Sequence, residues 1–306
     1  MISVVIPLYN KEKQIAHTLQ TVLYQTFKDF EIVIVDDGCT DNSVAEVEKF
    51  NDHRIRLIHQ ANAGVAAARN KGIEESKYDL IVFLDADDEW KPAYLENQYA
   101  LFEKYPECSV FACNYEFKDT KGNVSRTTIK KLPFEGTDGI LSNYFEVASC
   151  SHPPICSISI MVKKAAIKNV GEFPIGIKSG EDLLTWARLA VKYKIAYSKT
   201  PLATFIFDTD TFNDDQKKRV PEQEDYVGKE LDKLFTANPQ IKGIKEYNAL
   251  WHKMRARIFL DKGFRKSALK ECLKSIKYNI SLKILIFMSM TILPQKVSQC
   301  IFNKIS

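Results

Sequence analysis

The nonapeptide LIVFLDADD (residues 80–88) runs from an apolar segment straight into acidic residues. Three earlier stretches repeat this arrangement, with apolar runs at Ile2–Ile6, Glu31–Val35 and Ile55–Ile58 followed by polar sequels at Pro7–Asn10, Asp36–Gly38 and Gln60–Gly64. Helical patterns lie between most of these runs, so residues 1–100 predict a doubly wound, mostly parallel α/β sheet. Ligands of such sheets bind outside the carboxyl ends of the strands, and we expect the polar sequels to converge there on one crevice.

Helices are expected between these strands, and further elements follow them. Asn10 is placed to cap the first helix, because a side-chain oxygen at that position can accept from a free backbone N–H. Farther along, Ile155–Val162 reads as a strand, and Gly180 opens a helix that continues through Val191. We therefore predict one domain over residues 1–207.

The rest of the chain has a different character. Residues 208–226 are polar and read as a loop or linker, whereas residues 227–306 read as a basic helical appendage. From Lys253 to Ser306 there are 12 Lys or Arg and 2 Asp or Glu, a net charge of +10, although the whole chain carries only +4. A basic tail of this kind can bind nucleic acid or the anionic surface of a membrane.

The apolar run Ile280–Leu293 distinguishes between these partners. It is too short to span a bilayer, because crossing the hydrocarbon core takes about 20 apolar residues. Its few polar residues do not gather on one helical face, which is also the pattern of a helix buried in the protein's own core. Basic residues flank the run on both sides, so we expect contact with a membrane surface, and nothing in the chain resembles nucleic-acid recognition.

Cysteine usage and the N-terminus indicate the compartment. The seven cysteines are an odd number without a C-x-x-C pair, which favours reduced thiols over a disulfide framework or a zinc site. The chain enters a strand pattern at Ile2 without a basic and apolar leader. We expect a cytoplasmic protein that is peripheral on the inner face of the plasma membrane.

Asp85 and Asp87 are the leading candidates for a metal site. They lie two residues apart at a strand end, where the period of two directs both carboxylates to one side. Hard carboxylate oxygens suit Mg²⁺ or Mn²⁺, and Mg²⁺ usually binds one or two carboxylates together with waters and substrate phosphates. The alternative is a solvated turn whose acids cap the next helix.

Three other side chains are candidates for nucleotide contacts, each with a structural alternative. Asp37, beside Asp36, can accept from a ribose hydroxyl or a base N–H, or the two acids can simply begin the next helix. Tyr9 can stack on a base or pack against a helix. Arg69 can reach a diphosphate or form a surface ion pair.

These motifs resemble, in order, those of the inverting family-two glycosyltransferases of the GT-A fold. The matching stretches are PLYN (7–10), VDDGCTD (35–41), NAG (62–64) with ARNKG (68–72), and LDADD (84–88). The resemblance is close over residues 1–95 and thinner to about residue 207. It implies a nucleotide-binding half (1–100), an acceptor-side half (101–207) and a nucleotide-diphospho-sugar donor, usually a UDP-sugar.

The resemblance also implies a set of site residues. In this family the second Asp of the D-x-D motif, here Asp87, binds the metal, and Asp85 is its partner. The implied donor contacts are Pro7, Tyr9, Asp36, Asp37, Asn62, Gly64, Arg69, Asp85 and Ala86. Cys39 stands where Ser is more usual, at a position that we expect to be structural.

The family also uses a carboxylate as base, often in a Glu-Asp pair that opens a helix after a Gly-x-Phe turn. Gly171–Phe173 and Gly180–Asp182 fit that placement, so we assign the base to Asp182. Inverting transfer is a single displacement, in which a base takes the proton of the acceptor hydroxyl while a metal stabilises charge on the leaving phosphate. The alternative is that Glu181 and Asp182 only complement the helix dipole.

The predicted function is metal-dependent transfer of one sugar to a glycan or lipid-linked acceptor, in the synthesis of bacterial surface polysaccharide. Single transfer is favoured because the Gln-x-x-Arg-Trp motif and spanning helices of processive members are absent from the sequence. Two alternatives stay open. A metal-dependent nucleotidyltransferase is expected to carry a Gly-rich phosphate loop, which Pro7–Lys13 lacks, and a non-catalytic module would only bind nucleotide sugar at a membrane.

Overall fold

The computed structural model describes residues 1–207 and 220–293, which form two compact units. The first comprises Met1–Tyr144 and residues 151–207, and the second comprises Phe145–Cys150 and residues 220–293. Most of the predicted linker at residues 208–226, and the tail from residue 294, lie outside the described residues.

The first unit is built on a ten-stranded sheet. In chain order the strands are β1 (Ile2–Leu8), β2 (Phe30–Asp36), β3 (Ile55–His59), β4 (Leu80–Phe83), β5 (Glu89–Trp90), β6 (Val110–Asp119), β7 (Val124–Arg126), β8 (Asp138–Ile140), β9 (Ile160–Lys163) and β10 (Ile195–Phe207). Their order is β3-β2-β1-β4-β9-β6-β10-β5, with β7 beside β6 and β8 beside β10. Most paired residues belong to the parallel pairings of β1 with β2 and β4, of β2 with β3 and of β6 with β10, whereas β9 runs antiparallel between β4 and β6.

Helices connect most of these strands. They are α1 (Ile15–Leu23), α2 (Ser43–Glu48), α3 (Val65–Glu75), α4 (Tyr94–Lys104), α5 (Tyr144–Cys150), α6 (Lys164–Asn169) and α7 (Glu181–Lys192). Helix α3 lies so close to β1 that a Cβ added to Gly72 would be 2.2 Å from Cγ1 of Val5. The absence of a side chain at Gly72 therefore permits the contact that positions α3, with Arg69 and Asn70, against the sheet.

The predicted α/β class is confirmed, because the four apolar runs form β1 to β4 and alternate with helices. Two local predictions are wrong. Asn10 does not cap α1, which begins at Ile15 after a turn in which Asn10 has a φ of 49°. The predicted strand Ile155–Val162 is instead a 3-10 turn at Ser157–Ser159 followed by β9.

The second unit contains four further described helices, α8 (Tyr226–Ala237), α9 (Ile244–Asp261), α10 (Arg265–Tyr278) and α11 (Leu282–Met290). Asp225 caps α8 by accepting from the Gly228 N–H at 2.9 Å, and it also accepts from the indole N–H of Trp251 at 3.0 Å. His252 and Glu271 are joined at 2.7 Å, which links α9 to α10.

The buried acids of this unit already have cationic partners. Arg255 lies 3.4 Å from Asp225 and 3.5 Å from Glu271, and Lys274 lies 3.2 Å from Glu271. A divalent cation added here would meet two positive side chains next to its ligands, so the cluster of Asp225, His252 and Glu271 is an internal ion network that joins helices.

Helix α11, at the centre of the predicted apolar run, is divided between two environments. Ile284, Phe287 and Met290 are buried in a small core of the second unit. Ile280 and Leu282 are 65% and 76% exposed. Among the described helices, none combines the length and apolar character needed to cross a membrane.

Candidate active site

The carboxyl end of β1 is joined to the end of β2 by side-chain hydrogen bonds. Oδ1 of Asn10 accepts from the Thr40 N–H at 2.8 Å, and Nδ2 donates to the Thr40 hydroxyl at 3.2 Å. The N–H of Asn10 donates to Sγ of Cys39 at 3.4 Å, a structural contact for that cysteine. Tyr9 remains 47% exposed at the strand end, where a flat ligand has access to its ring.

Asp37 organises the loop after β3. Its Oδ1 accepts from Nε2 of Gln60 at 2.7 Å and from the Ala63 N–H at 2.8 Å, and its Oδ2 accepts from the Gly64 N–H at 2.9 Å. Gly64 has a φ of 90° at the start of α3, a conformation that favours glycine. A carboxylate has about four acceptor sites, so Asp37 retains capacity for one more donor while Asn62 stays exposed on the loop.

Asp36 is bonded to protein groups on both carboxylate oxygens. It accepts from the Cys39 N–H at 2.9 Å and contacts Nδ1 of His59 at 2.8 Å. Burial raises the pKa of Asp36, but these hydrogen bonds outweigh burial and the net pKa is lowered. Pro7 and Ala86, two other predicted donor contacts, are buried and offer no polar side chain.

The acidic loop, defined as residues 84–88, is fixed from two sides. The hydroxyl of Thr18 on α1 lies 3.1 Å from the carbonyl oxygen of Ala86 and 2.8 Å from that of Asp88. Oδ1 of buried Asp88 accepts from the Ile206 N–H at 2.8 Å. Asp88 therefore faces the protein interior, so Asp85 and Asp87 are the acids of the loop that could bind a ligand.

Asp85 and Asp87 have different surroundings. Asp85 accepts from Nη2 of Arg69 at 2.7 Å and from the Ser157 hydroxyl at 3.1 Å. Asp87 accepts from Nζ of Lys11 at 2.5 Å, and 34% of its side chain is exposed. Hard oxygens from one or two carboxylates are a donor set that suits Mg²⁺ or Mn²⁺. The acidic loop thus fits a divalent cation, with Asp87 as the more accessible ligand.

Arg69 connects the acidic loop to the start of α7. Its buried guanidinium lies 2.7 Å from Asp85 and 3.4 Å from Oε1 of Glu181, and 5.3 Å from the ring centre of Phe173. Burial lowers the pKa of Arg69, but the charges of Asp85, Glu181 and Asp182 raise it by more. Arg69 is therefore a permanent cation with three acids around it.

The first turn of α7 carries Glu181 and Asp182. Asn70 on α3 makes two hydrogen bonds with the backbone of Phe173, at 2.8 Å and 3.0 Å, and so fixes the loop that precedes α7. Burial, and then the charge of Asp182, raises the pKa of Glu181 to about 7. Burial also raises the pKa of Asp182. Such carboxylates are suited to take a proton near neutral pH.

Contacts link the sequence-predicted motifs to one another at the carboxyl edge of the sheet. Three contributions were not predicted. Lys11 directly follows the PLYN motif, which is the only sequence signal it carries. Glu181 was predicted as the neighbour of the base in the acidic pair, and its ion pair with Arg69 was not predicted. Ser157 carries no signal, because its position depends on the turn before β9.

This strand order, with an acidic loop at the end of β4 and an acidic pair opening α7, defines the GT-A class of nucleotide-sugar transferases. The model of the family described as Glycosyl transferase family 2 matches residues 3–161, just over half of the chain. The chain belongs to glycosyl transferase family 2. This membership decides against the nucleotidyltransferase alternative.

The curated relatives that match this chain are glycosyltransferases. An uncharacterized glycosyltransferase of Rickettsia felis is 32% identical over 232 residues, which cover 72% of this chain and 35% of the relative. Glycosyltransferase GlyA of Streptococcus pneumoniae is 32% identical over 186 residues, 59% of this chain and 27% of the relative. The chain thus spans roughly a third of the length of the curated relatives it matches.

Solved structures of glycosyltransferases share the fold. S. aureus TarS 1–349, in complex with UDP-GlcNAc, has a TM-score of 0.60 and 19% identity over 95% of this chain and 79% of its own. The mannosyltransferase PcManGT of Pyrobaculum calidifontis, in complex with GDP-Man and Mn²⁺, has a TM-score of 0.60 and 16% identity over 99% of this chain and 83% of its own.

Removing the cation at Arg69 should destabilise the protein in a pH-dependent way. Arg69→Met leaves Asp85, Glu181 and Asp182 without their cation, which we expect to cost about 3–5 kcal/mol near pH 8. The pKa values of Glu181 and Asp182, already raised by burial, should rise further without this cation, so the loss should shrink towards about pH 5, where both acids bind protons in the folded state. Urea titrations of wild type and variant at both pH values measure the difference.

The matched control is Arg126→Met, which removes an arginine from the exposed strand β7. It should change the free energy of unfolding by less than about 0.5 kcal/mol at either pH. An equal loss of stability for Arg69→Met at both pH values would contradict the assigned role of Arg69.

Proposed function

We propose that this chain is an inverting, metal-dependent glycosyltransferase that moves one sugar from a nucleotide-diphospho-sugar, with UDP-sugars as first candidates, to a hydroxyl of a glycan or lipid-linked acceptor. We propose a role in the synthesis of bacterial surface polysaccharide. The observation that carries this proposal is the pairing of Arg69 with both Asp85 and Glu181. This pairing brings an acidic loop suited to a metal diphosphate next to an acidic pair suited to proton transfer.

The donor is proposed to lie along the carboxyl ends of β1, β2 and β4. Exposed Tyr9 offers a face for stacking on the base, and Asp37, although only 3% exposed, has one acceptor site left for the nucleoside. The loop with Asn62 and Gly64 lies beside them and supplies backbone and amide groups. TarS and PcManGT are found with a UDP-sugar and a GDP-sugar, which supports the donor class and leaves the base open.

The acidic loop is proposed to hold Mn²⁺ or Mg²⁺ through Asp87, with Asp85 as its partner. When bound, the cation would neutralise charge that grows on the leaving diphosphate. Asp85 is less free to bind a cation, since both of its oxygens already accept hydrogen bonds. Its proposed contribution is to keep Arg69 beside the donor, so that a fixed positive charge faces the diphosphate.

Asp182 is proposed to take the proton of the acceptor hydroxyl as that oxygen attacks the anomeric carbon. In a single displacement the nucleoside diphosphate leaves on the opposite face, so the configuration at that carbon inverts. Glu181 is bound to Arg69 and is less available as the base. Because Glu181 and Asp182 are adjacent carboxylates, the charge on one raises the pKa of the other.

Activity should require a divalent cation and Asp87. Excess EDTA should abolish release of nucleoside diphosphate from an active donor, and added Mn²⁺ or Mg²⁺ should restore it. Asp87→Asn should lower turnover by about a hundredfold or more, because the diphosphate loses its charge partner. Asp29→Asn, an exposed acid before β2, is the matched control and should keep wild-type turnover. Full activity in excess EDTA would show that no metal is used.

The rate should depend on pH through the acidic pair. Since the pKa values of Glu181 and Asp182 are raised, the pair binds a proton as pH falls below about 7, and turnover should fall with it. Glu181→Gln removes a neighbouring negative charge, so the acidic limb of the kcat profile should move to lower pH. Asp182→Asn should lose turnover at every pH yet keep donor affinity in calorimetry. Parallel loss of affinity and turnover would instead place Asp182 in the donor site.

We further propose that the C-terminal region contacts the anionic inner face of a membrane, where a lipid-linked acceptor is available. The net charge of +10 from Lys253 to Ser306 supports this, as do the exposed side chains of Ile280, which precedes α11, and Leu282, its first residue. Deleting the whole run is a poor test, because Ile284 and Phe287 belong to the core of the second unit.

Exposed apolar side chains should therefore be replaced while the buried core is left intact. The double variant Ile280→Ser and Leu282→Ser should co-sediment with anionic vesicles severalfold less than wild type, since it removes apolar groups that enter the head-group region. Binding by wild type should weaken with salt. Val124→Ser, which changes an exposed apolar residue on β7, is the control. Equal sedimentation of the double variant and wild type would exclude α11 as the contact.

A further inference from the structure

The ammonium group of Lys11 contacts Asp87, the acid that the proposed function assigns to the metal. Its Nζ lies 2.5 Å from Oδ2 of Asp87, and the two side chains are 36% and 34% exposed. Asp85, by contrast, is paired with the buried guanidinium of Arg69. Of the two D-x-D acids, the accessible one thus has a flexible, partly solvated cation as its partner.

The backbone of Lys11 is fixed while its side chain is not. Its N–H donates to the Ser43 hydroxyl at 2.7 Å, and its carbonyl accepts from the N–H groups of Gln14 and Ile15, each at 3.0 Å. These bonds hold the Lys11 Cα between the end of β1 and the first residue of α2. The side chain beyond it has four methylene groups, so the ammonium can move several ångströms about a fixed base.

The contact with Asp87 and the binding of a divalent cation exclude each other at that oxygen. A cation on Oδ2 would be next to an ammonium of the same charge sign, and the repulsion would displace Lys11. Asp85 already accepts hydrogen bonds on both oxygens, and Asp88 is only 1% exposed, although its Oδ2 has no hydrogen-bond partner among the described residues. The anion that arrives with the metal is the diphosphate of the donor.

We propose that Lys11 exchanges partners: its ammonium binds Asp87 until the metal and nucleotide arrive, and then binds the diphosphate of the donor. This inference rests on the proposed function. Lys11 then has two opposed effects, because it competes with the metal for Asp87 and adds a positive charge against the leaving diphosphate. A residue with a purely structural role would not change these two affinities in opposite directions.

The test measures two affinities of the full-length chain by calorimetry. Lys11→Met keeps most of the length of the side chain and removes the charge. It should bind Mn²⁺ alone about two- to fivefold more tightly, since an exposed ion pair that competes for the ligand is lost. It should bind UDP or GDP, in saturating Mn²⁺, about tenfold or more weakly, since a charge-assisted contact with phosphate is lost.

Three further variants keep the test decisive. Lys13→Met removes an exposed lysine from the same segment and should leave both affinities within about twofold of wild type. Lys11→Arg keeps the charge and should retain nucleotide binding, and Lys11→Gln replaces Lys11→Met if the latter lowers the melting temperature. Affinities of Lys11→Met equal to those of Lys13→Met, or both weakened together, would overturn the exchange. Failure of the wild type to bind Mn²⁺ and either nucleotide would instead overturn the proposed function.

Discussion

One buried cation, Arg69, is the constraint on which the candidate site depends. Its guanidinium neutralises Asp85 and Glu181 and lies within the electrostatic reach of Asp182. Without it, the desolvated carboxylates of Glu181 and Asp182 would bind protons more readily and lose their charge. Because Asp85 follows β4 and Glu181 opens α7, the same side chain also determines how far the acidic loop lies from the proposed base. The close packing of α3 on β1 at Gly72 in turn sets the position of Arg69.

Much of the fold could be predicted because it follows from short-range patterns. Apolar runs followed by polar sequels predicted β1 to β4, and the rules of parallel βαβ connections predicted that their ends share an edge. The sequence pattern also predicted α7, and the motif similarity added the role of its acidic pair. The loop after β3 is hydrogen-bonded to Asp37, which follows β2. This contact follows from the parallel pairing of β2 with β3, which places the ends of the two strands side by side.

Contacts between distant segments could not be predicted in this way. Lys11 meets Asp87 across 76 residues, and Ser157 reaches Asp85 across 72. Both depend on which strands become neighbours, and β9 inserts antiparallel beside β4 without a local signal. The cap predicted at Asn10 failed because its side chain bonds the backbone of Thr40 instead, an alternative that Asn offers wherever a turn is near.

The central claim is that the acidic loop and the start of α7 form one donor site around Arg69. A crystal structure of the full chain with Mn²⁺ and a tightly bound nucleoside diphosphate tests it most directly, because Mn²⁺ is located independently by anomalous scattering. We expect Mn²⁺ on Asp87, the nucleotide base beside Tyr9, and the diphosphate between the acidic loop and the acidic pair of α7. Mn²⁺ and nucleotide bound away from the carboxyl edge of β1 and β4 would contradict it.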